Sequence, residues 1–209
     1  MKKICILDYG MGNIRSLENS IKKIGFEVVF FSDKENIDSN FLIVPGVGAF
    51  NTAIGIFKKK KIDLKIKEFL SDNNNNLLGI CLGKQILYTN GFENLNTRGL
   101  NLINGDVNLL TKNKNYKLPN VGWHKINVKS NLDKFDFLNK FNKQKFYFVH
   151  SFAGKPNIKK NILATSTYKD IEFCSISSNN KNLIGVQFHP EKSGNIGLEF
   201  LKLTLESLK

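Results

Sequence analysis

The apolar residues of this chain fall into short runs separated by amphipathic segments. Leu17, Ile21 and Ile24 recur at i, i+4 and i+7, a spacing that predicts a helix over residues 14–24, and Gly25 ends it. Further helices are predicted over residues 61–73 and 194–208. Continuous apolar, β-prone runs predict strands at residues 4–8, 27–31, 41–44, 77–80 and 183–188.

This alternation of strands and helices predicts an α/β fold with an open, mostly parallel sheet and helices on both faces. Residues 105–173 differ, because their short segments are rich in Val, Ile, Phe and Tyr and are separated by Asn, Lys and Gly. That pattern predicts an antiparallel β-rich region added to the sheet. The sequence has no internal repeat and no long linker, so we expect one domain over residues 1–209.

Composition narrows the class of protein. With 209 residues and 41% hydrophobic residues, the chain is typical of a soluble globular protein. Its three cysteines are scattered and form no CxxC pair, which argues against a disulfide framework or a zinc site and fits a reducing cytosol. No apolar run approaches the ~20 residues of a membrane span. We expect a cytoplasmic protein with no membrane contact, no metal and no cofactor.

The formal net charge of +13 raises the possibility of nucleic-acid binding. However, Arg15 and Arg98 are the only arginines, and arginine is the residue favoured for bidentate base and phosphate contacts. The lysines are spread along the chain, and the dense run at residues 58–61 reads as the solvated part of a helix or its connection. We therefore interpret the charge as compositional bias and expect no nucleic-acid partner.

The strongest local signal for chemistry is Gly-Ile-Cys-Leu-Gly at residues 79–83, where a predicted strand meets a helix that begins near Leu82. A nucleophile on so sharp a turn has a strained backbone and needs flanking glycines. Cys81 is therefore the candidate nucleophile, although a structural cysteine between two glycines would have the same sequence. Cys5 and Cys174 lack this setting and are predicted core residues.

A thiol nucleophile needs a base, and His189 follows a predicted strand directly. It therefore lies at the carboxyl edge of the sheet, where open α/β sheets bind ligands. Glu191 follows two residues later, and Pro190 fixes the backbone so that the carboxylate can turn back to the imidazole. Cys81, His189 and Glu191 thus form a candidate catalytic triad.

A third loop follows the predicted strand at residues 41–44 and is rich in glycine. The loop, Pro-Gly-Val-Gly at residues 45–48, leaves backbone N–H groups free to bind an oxyanion, and the N–H of Leu82 is the second donor expected of such a hole. Taken alone, this loop would read as an ordinary strand-to-helix turn.

Together these motifs, in this order and spacing, resemble those of the class I (triad) glutamine amidotransferases, a flavodoxin-like fold. They are residues 45–50 (PGVGAF), 79–85 (GICLGKQ) and 189–191 (HPE). Further blocks are similar to the glutaminase subunits of imidazole glycerol phosphate synthases: residues 8–16 (DYGMGNIRS), 119–123 (PNVGW), 148–152 (FVHSF) and 185–193 (GVQFHPEKS).

The resemblance implies a division of labour. Cys81 attacks the side-chain amide of L-glutamine, and ammonia passes to a (β/α)8-barrel cyclase partner in a heterodimer. There it contributes to imidazole glycerol phosphate and an aminoimidazole carboxamide ribonucleotide in histidine biosynthesis. The further roles that it implies are an oxyanion hole at Val47, Gly48 and Leu82, substrate contacts at Gly46, Gln85, His150, Ser151 and Phe152, and partner contact or gating at Met11, Asn13, Asn120 and Trp123. The flexible Val47–Gly48 peptide is the expected switch of the oxyanion hole.

Two positions depart from the family pattern. Asn120 stands where the family usually has His, with a His instead at His124, and Lys84 stands where Met is common. These departures leave open a paralogous subunit that supplies ammonia to a sugar-modifying synthase for surface polysaccharides. A stand-alone thiol hydrolase and a non-catalytic relative are the alternatives from other classes, and the intact triad argues against the second.

Overall fold

The computed structural model describes residues 2–32, 37–111, 113–130 and 132–208. Within them the strands form a nine-stranded sheet in the order β2-β1-β3-β4-β13-β12-β11-β8-β9 and a four-stranded sheet in the order β10-β7-β5-β6. The strands are β1 (Lys3–Leu7), β2 (Glu27–Phe31), β3 (Phe41–Val44), β4 (Asn76–Ile80), β5 (Tyr88–Gly91), β6 (Thr97–Arg98), β7 (Ile103–Leu109), β8 (Asn120–Val128), β9 (Lys145–His150), β10 (Phe152–Pro156), β11 (Ile162–Tyr168), β12 (Ile171–Ser178) and β13 (Leu183–Val186). The α-helices are α1 (Ile14–Lys23), α2 (Phe50–Lys59), α3 (Ile62–Phe69), α4 (Leu82–Gln85) and α5 (Gly194–Ser207).

The large sheet has the predicted architecture. Strands β2, β1, β3, β4 and β13 pair in parallel. Strands β12, β11, β8 and β9 extend them antiparallel. Along β1, Ile4 and Ile6 join one hydrophobic cluster, while Cys5 and Leu7 join another. Because successive side chains of a strand point to opposite faces, the sheet is covered on both sides, and its central strands are continuous apolar runs.

The second sheet was not predicted. Strands β5, β6, β7 and β10 do not extend the large sheet but pair among themselves, β5 with β7 in parallel and β10 with β7 antiparallel. Helix α4 is also short, and the chain enters β5 at Tyr88. The prediction of one extended sheet fails here because a short alternating strand fits either sheet equally well, and tertiary packing decides between them.

The helix predicted over residues 61–73 is shorter in the structure. Helix α3 ends at Phe69, whose carbonyl oxygen accepts a hydrogen bond from Asn75 Nδ2 (2.9 Å), and Asp72 Oδ1 accepts the backbone N–H of Asn74 (2.9 Å). Asp and Asn side chains compete in this way with the helical hydrogen bonds. The lysine run ends α2 and continues as the connection, where Lys61 has a left-handed φ of 55°.

Three loops meet at the carboxyl edge of the large sheet because β3, β4 and β13 are neighbours. Val44 pairs with Gly79, and Val186 pairs with Ile80, so the residues after these strands lie side by side. Among the described residues, none of the helices has the length and apolar character needed to cross a bilayer.

Candidate active site

Cys81 lies on the predicted sharp turn between β4 and α4. Its backbone has φ 53° and ψ −109°, a strained conformation for a residue with a side chain, and its N–H donates to Val186 O (2.8 Å). A Cβ at Gly83 would overlap the carbonyl oxygen of Val44, and one at Gly79 would lie 2.8 Å from Gly83 O. Glycine is therefore required on both sides of the cysteine, as the sequence predicts.

His189 and Glu191 form a buried pair beside this turn. His189 Nδ1 lies 2.8 Å from Glu191 Oε1, and both side chains are less than 5% exposed. Since the carboxylate can only accept, Nδ1 donates, and the tautomer is fixed. Nε2 of His189 is buried and has no hydrogen-bond partner among the described residues, so it is the nitrogen free to exchange a proton.

The charge state of His189 reflects two opposed effects. Burial lowers its pKa, but the interactions with Cys81 and then Glu191 outweigh burial and raise the pKa to about 10. The largest of these favourable interactions is the Coulombic attraction between the imidazolium and the Cys81 sulfur. The site therefore favours an imidazolium next to the sulfur, the state from which a leaving amine can take a proton.

The glycine-rich loop packs directly on residues 79–83, the turn that carries the candidate nucleophile Cys81 and that we call the nucleophile turn. A Cβ at Gly46 would lie 3.0 Å from Leu82 Cβ and 3.1 Å from Gly83 N. Gly48 has a φ of +105°, and a Cβ there would lie 2.8 Å from Met11 Cε. Glycine is the residue that tolerates both the close approach and the left-handed backbone. Val47 and Gly48 line the same cavity as Cys81.

These elements surround a cavity of about 600 Å³. It is lined by Val47, Gly48, Ala49, Cys81, Leu82, Gln85, Glu93, Pro119, Val149, His150, Ser151, Phe152, His189 and Lys192. Nine predicted site residues are in that list. Of the remaining ones, Glu191 lies behind His189, and Gly46 lies beneath the loop against Tyr9 and Leu82.

Two further side chains of the site were not predicted. Gln187, fully buried, accepts at Oε1 from Gln85 Nε2 (3.5 Å), and its own Nε2 lies 3.8 Å from Cys81 Sγ. Its only sequence signal is its place two residues before His189. Glu93 reaches the cavity from the loop after β5, and its Oε2 accepts the N–H of Phe50 at the start of α2 (2.8 Å). No pattern in the sequence indicated it.

The predicted partner-contact residues have different positions. Asn13 is exposed at the start of α1, Met11 lies against Gly48, and Trp123 is 50% exposed and packs edge-on against Tyr147. Asn120, by contrast, is fully buried. Its side chain faces the interior of the protein, so a direct contact between this side chain and a partner does not fit the structure.

Lys84 places an unexpected cation beneath the nucleophile turn. It is fully buried, its Nζ donates to Cys174 O (2.6 Å) and lies 5.8 Å from the ring centre of Tyr88, and a Cβ at Gly185 would lie 2.7 Å from Lys84 Cγ. Burial lowers the pKa of Lys84. Cys5 and Cys174 are buried, as predicted, and no cluster of three or more His, Cys, Asp or Glu in the described part of the chain could hold a metal.

Comparison with known proteins agrees with this arrangement. The chain is 39% identical over 210 residues to the imidazole glycerol phosphate synthase subunit HisH of Lactococcus lactis, with 100% of both chains covered, and 40% identical over 206 residues to that of Methanosarcina barkeri, with 97% of both covered. A chain of the PurLQS structure from Thermotoga maritima shares the fold, with a TM-score of 0.75, 20% identity and coverage of 99% of this chain and 97% of that one. The family model for class I glutamine amidotransferases matches residues 5–205, and the chain belongs to that family.

Proposed function

We propose that this chain is the glutaminase subunit of an imidazole glycerol phosphate synthase, which hydrolyses L-glutamine to glutamate and ammonia for a cyclase partner. The observation that carries the proposal is the buried His189–Glu191 pair, whose His189 lines one cavity with Cys81 on a strained turn. Full-length similarity to relatives with that name supports the pathway, and it favours this pathway over the polysaccharide paralogue.

The geometry suits acyl transfer through a thioester. His189 Nε2 already holds the proton when Cys81 Sγ attacks the amide carbon of glutamine, and the imidazolium then protonates the departing nitrogen to give ammonia. Water, deprotonated by His189, attacks the thioester, and glutamate leaves. Glu191 holds the ring and stabilises its charged form throughout.

The oxyanion that forms in each step needs two donors near Cys81. The N–H of Leu82 and the Val47–Gly48 peptide line the cavity on this side. Because Gly48 has no side chain, the Val47–Gly48 peptide can change its orientation. Met11 packs against Gly48, so a movement of Met11 would act on this peptide. Partner binding that favours the productive peptide orientation would restrict hydrolysis to the assembled synthase.

Glutamine itself carries an α-ammonium and an α-carboxylate that the cavity must bind. The Glu93 carboxylate is suited to the ammonium, and the Lys192 side chain is suited to the carboxylate, since both line the cavity. Gln85 and residues 149–152 form another part of the cavity wall. A (β/α)8 barrel as partner, a cytoplasmic location and the absence of a nucleic-acid partner complete the proposal.

The test uses the chain assembled with the cyclase subunit of its own organism. We expect Cys81→Ala to abolish glutamine hydrolysis and to leave cyclisation driven by added ammonium salt at the wild-type rate. Cys174→Ala, a buried cysteine outside the cavity, is the matched control and should retain both activities. Glutamine hydrolysis by Cys81→Ala would contradict the catalytic assignment, and loss of ammonium-driven synthesis in a complex that still assembles would contradict the division of labour.

A second measurement addresses the pathway. Glutaminase activity should rise by several orders of magnitude when the cyclase subunit and its nucleotide are both present. No stimulation, with the chain copurifying instead with a sugar-modifying synthase, would assign it to the paralogous role.

A further inference from the structure

A continuous chain of hydrogen bonds leads from β8 to the glutamine cavity. His124 Nε2 lies 2.7 Å from Asn120 Oδ1, and Asn120 Nδ2 lies 3.2 Å from His150 Nε2. His150 Nδ1 in turn lies 2.9 Å from Phe152 O, which also accepts from Gln85 Nε2 at 2.9 Å. Half-buried His124 is thereby linked to the wall of the cavity.

Only one assignment of donors satisfies all of these contacts. The Phe152 carbonyl can only accept, so His150 carries its proton on Nδ1. Burial lowers the pKa of His150 to about 3, so the ring is neutral and its Nε2 must accept from Asn120 Nδ2. The amide oxygen of Asn120 then accepts from His124 Nε2, and this bond fixes which way the amide points.

Burial makes this orientation of the Asn120 amide strongly preferred over the reversed one. Asn120 is fully buried and His150 is 5% exposed, with the rings of Phe148 and Phe173 5.8 and 5.0 Å from the His150 ring. In a site that excludes water, a reversed amide would place two acceptors or two donors face to face without solvent to separate them.

The last members of the chain form part of the catalytic cavity. His150 and Gln85 hold the same carbonyl, that of Phe152, from β9 and from α4. In the same segment, Val149 O lies 3.9 Å from Cys81 Sγ. The position of residues 149–152 relative to the nucleophile therefore depends on His150 keeping its Nδ1–H tautomer.

We propose that Asn120 is a positioning residue for glutamine hydrolysis, which holds His150 in the tautomer that anchors residues 149–152, and that His124 fixes the orientation of the Asn120 amide. This inference rests on the proposed function for the identity of the substrate. It gives Asn120 a role within the protein that replaces the partner contact expected from the sequence.

The direct test is Asn120→Asp, which keeps the shape of the side chain but presents an acceptor to His150 Nε2. We expect His150 to gain a proton on Nε2, visible in long-range ¹H–¹⁵N correlation spectra of the isolated chain. In the assembled synthase, kcat/KM for glutamine should fall by about tenfold to hundredfold, as for a misplaced reacting group, while ammonium-driven synthesis is unchanged. Asn127→Asp is the matched control, because Asn127 is on the same strand but lies outside the cavity, where its Oδ1 accepts from Nζ of the exposed Lys143 (2.7 Å).

An exchange variant keeps the proposal testable if Asn120→Asp folds poorly. The network needs one donor and one acceptor at position 120 and one donor at position 124. Asn120→His combined with His124→Asn keeps each of these hydrogen-bonding groups and the total side-chain volume. We expect the exchange to retain wild-type kcat/KM within about threefold, whereas Asn120→Leu leaves His150 Nε2 without a donor and should lower kcat/KM by about tenfold or more. An unchanged His150 tautomer in Asn120→Asp, or wild-type kcat/KM for glutamine in Asn120→Asp or Asn120→Leu, would overturn the proposal. Absence of glutamine hydrolysis in the wild-type synthase would instead overturn the proposed function, because the tautomer is measured without substrate.

Discussion

At the residue scale, burial by itself lowers the pKa of both His189 and Lys84. The overall pKa shift is nevertheless upward for His189 and downward for Lys84, because their neighbours differ. His189 faces Cys81 and Glu191, whose interactions overcome the cost of burying its charge. Lys84 has a carbonyl and an aromatic ring as neighbours, and these do not compensate for the desolvation of an ammonium group. The first arrangement supports proton transfer, while the second places a costly cation in the core.

The raised pKa of His189 depends first on Cys81 and then on Glu191, which leads to a titration experiment. We expect the imidazole of wild type to titrate near pH 10 and that of Cys81→Ala to titrate at lower pH. Because the folded-state pKa is raised above 6.5, this interaction adds stability that is fully present below pH 6.5 and is lost as the pH rises through 10. NMR titration of the His189 ring measures the pKa, with Glu191→Gln as the second variant. An unchanged pKa in Cys81→Ala would show that Glu191 alone holds the proton.

Lys84→Met should change how stability depends on pH. The folded-state pKa of Lys84 is lowered from 10.5, so between those two values the unfolded chain binds the proton and the folded chain does not. Wild-type stability should therefore rise with pH in that window relative to Lys84→Met, with a limiting slope of about 1.4 kcal/mol per pH unit.

Urea unfolding of both proteins at several pH values between 7 and 10.5 measures this difference directly. At neutral pH the methionine variant should be at least as stable as wild type, because a side chain of similar volume replaces a buried charge. A parallel pH dependence in the two proteins would mean that Lys84 keeps its ordinary pKa.

At the scale of secondary-structure elements, the nucleophile turn depends on backbone contact between neighbouring strands. A Cβ on Gly83 would overlap the Val44 carbonyl, and neither backbone can move without disturbing β3 or α4. We expect Gly83→Ala to destabilise the protein by more than about 4 kcal/mol, or to prevent folding.

The matched control for this substitution is Gly55→Ala. Gly55 is exposed in the middle of α2, and no atom outside its own helix lies within 4 Å of the added Cβ. The change should stabilise the protein by about 0.5–1 kcal/mol, since alanine has the higher helix propensity. Circular dichroism melts of the two variants compare them, and comparable stabilities would mean that the turn relaxes to accept a side chain.

The elements that the sequence predicts well are those whose signal is local. The central parallel strands are continuous apolar runs and were predicted to within one or two residues. Cys81 and His189 lie close to the ends of two of these strands, and both line the cavity. The separate sheet of β5, β6, β7 and β10 was missed because sheet membership depends on long-range pairing. Glu93 escaped prediction for the same reason, since a loop from a distant part of the chain brings it to the cavity. Gln187, whose Nε2 lies 3.8 Å from Cys81 Sγ, has no sequence signal of its own besides its place before His189.

At the scale of the whole molecule, the net charge of +13 makes the folded chain repel itself. Ion pairs such as Lys3–Asp38 and Lys22–Glu18 neutralise individual lysines but leave the net charge unchanged. A folded chain of this length has a radius of gyration of about 17 Å. At 0.01 M ionic strength the Debye length is about 30 Å, so a lysine interacts with charges across much of the molecule, while at 0.2 M only close neighbours interact.

Because the Debye length falls from above the radius of gyration to below it as salt is added, we expect salt to stabilise the protein. Unfolding separates like charges, so repulsion favours the unfolded chain most strongly at low ionic strength. Raising NaCl from about 0.01 to 0.2 M should increase stability by on the order of 1 kcal/mol, or about 2–4 °C in Tm, and the effect should level off once the Debye length is shorter than the spacing of the lysines. A Lys160→Gln variant, which removes one exposed charge, should show a smaller gain. If Tm falls with salt instead, local ion pairs contribute more to stability than the net charge takes away.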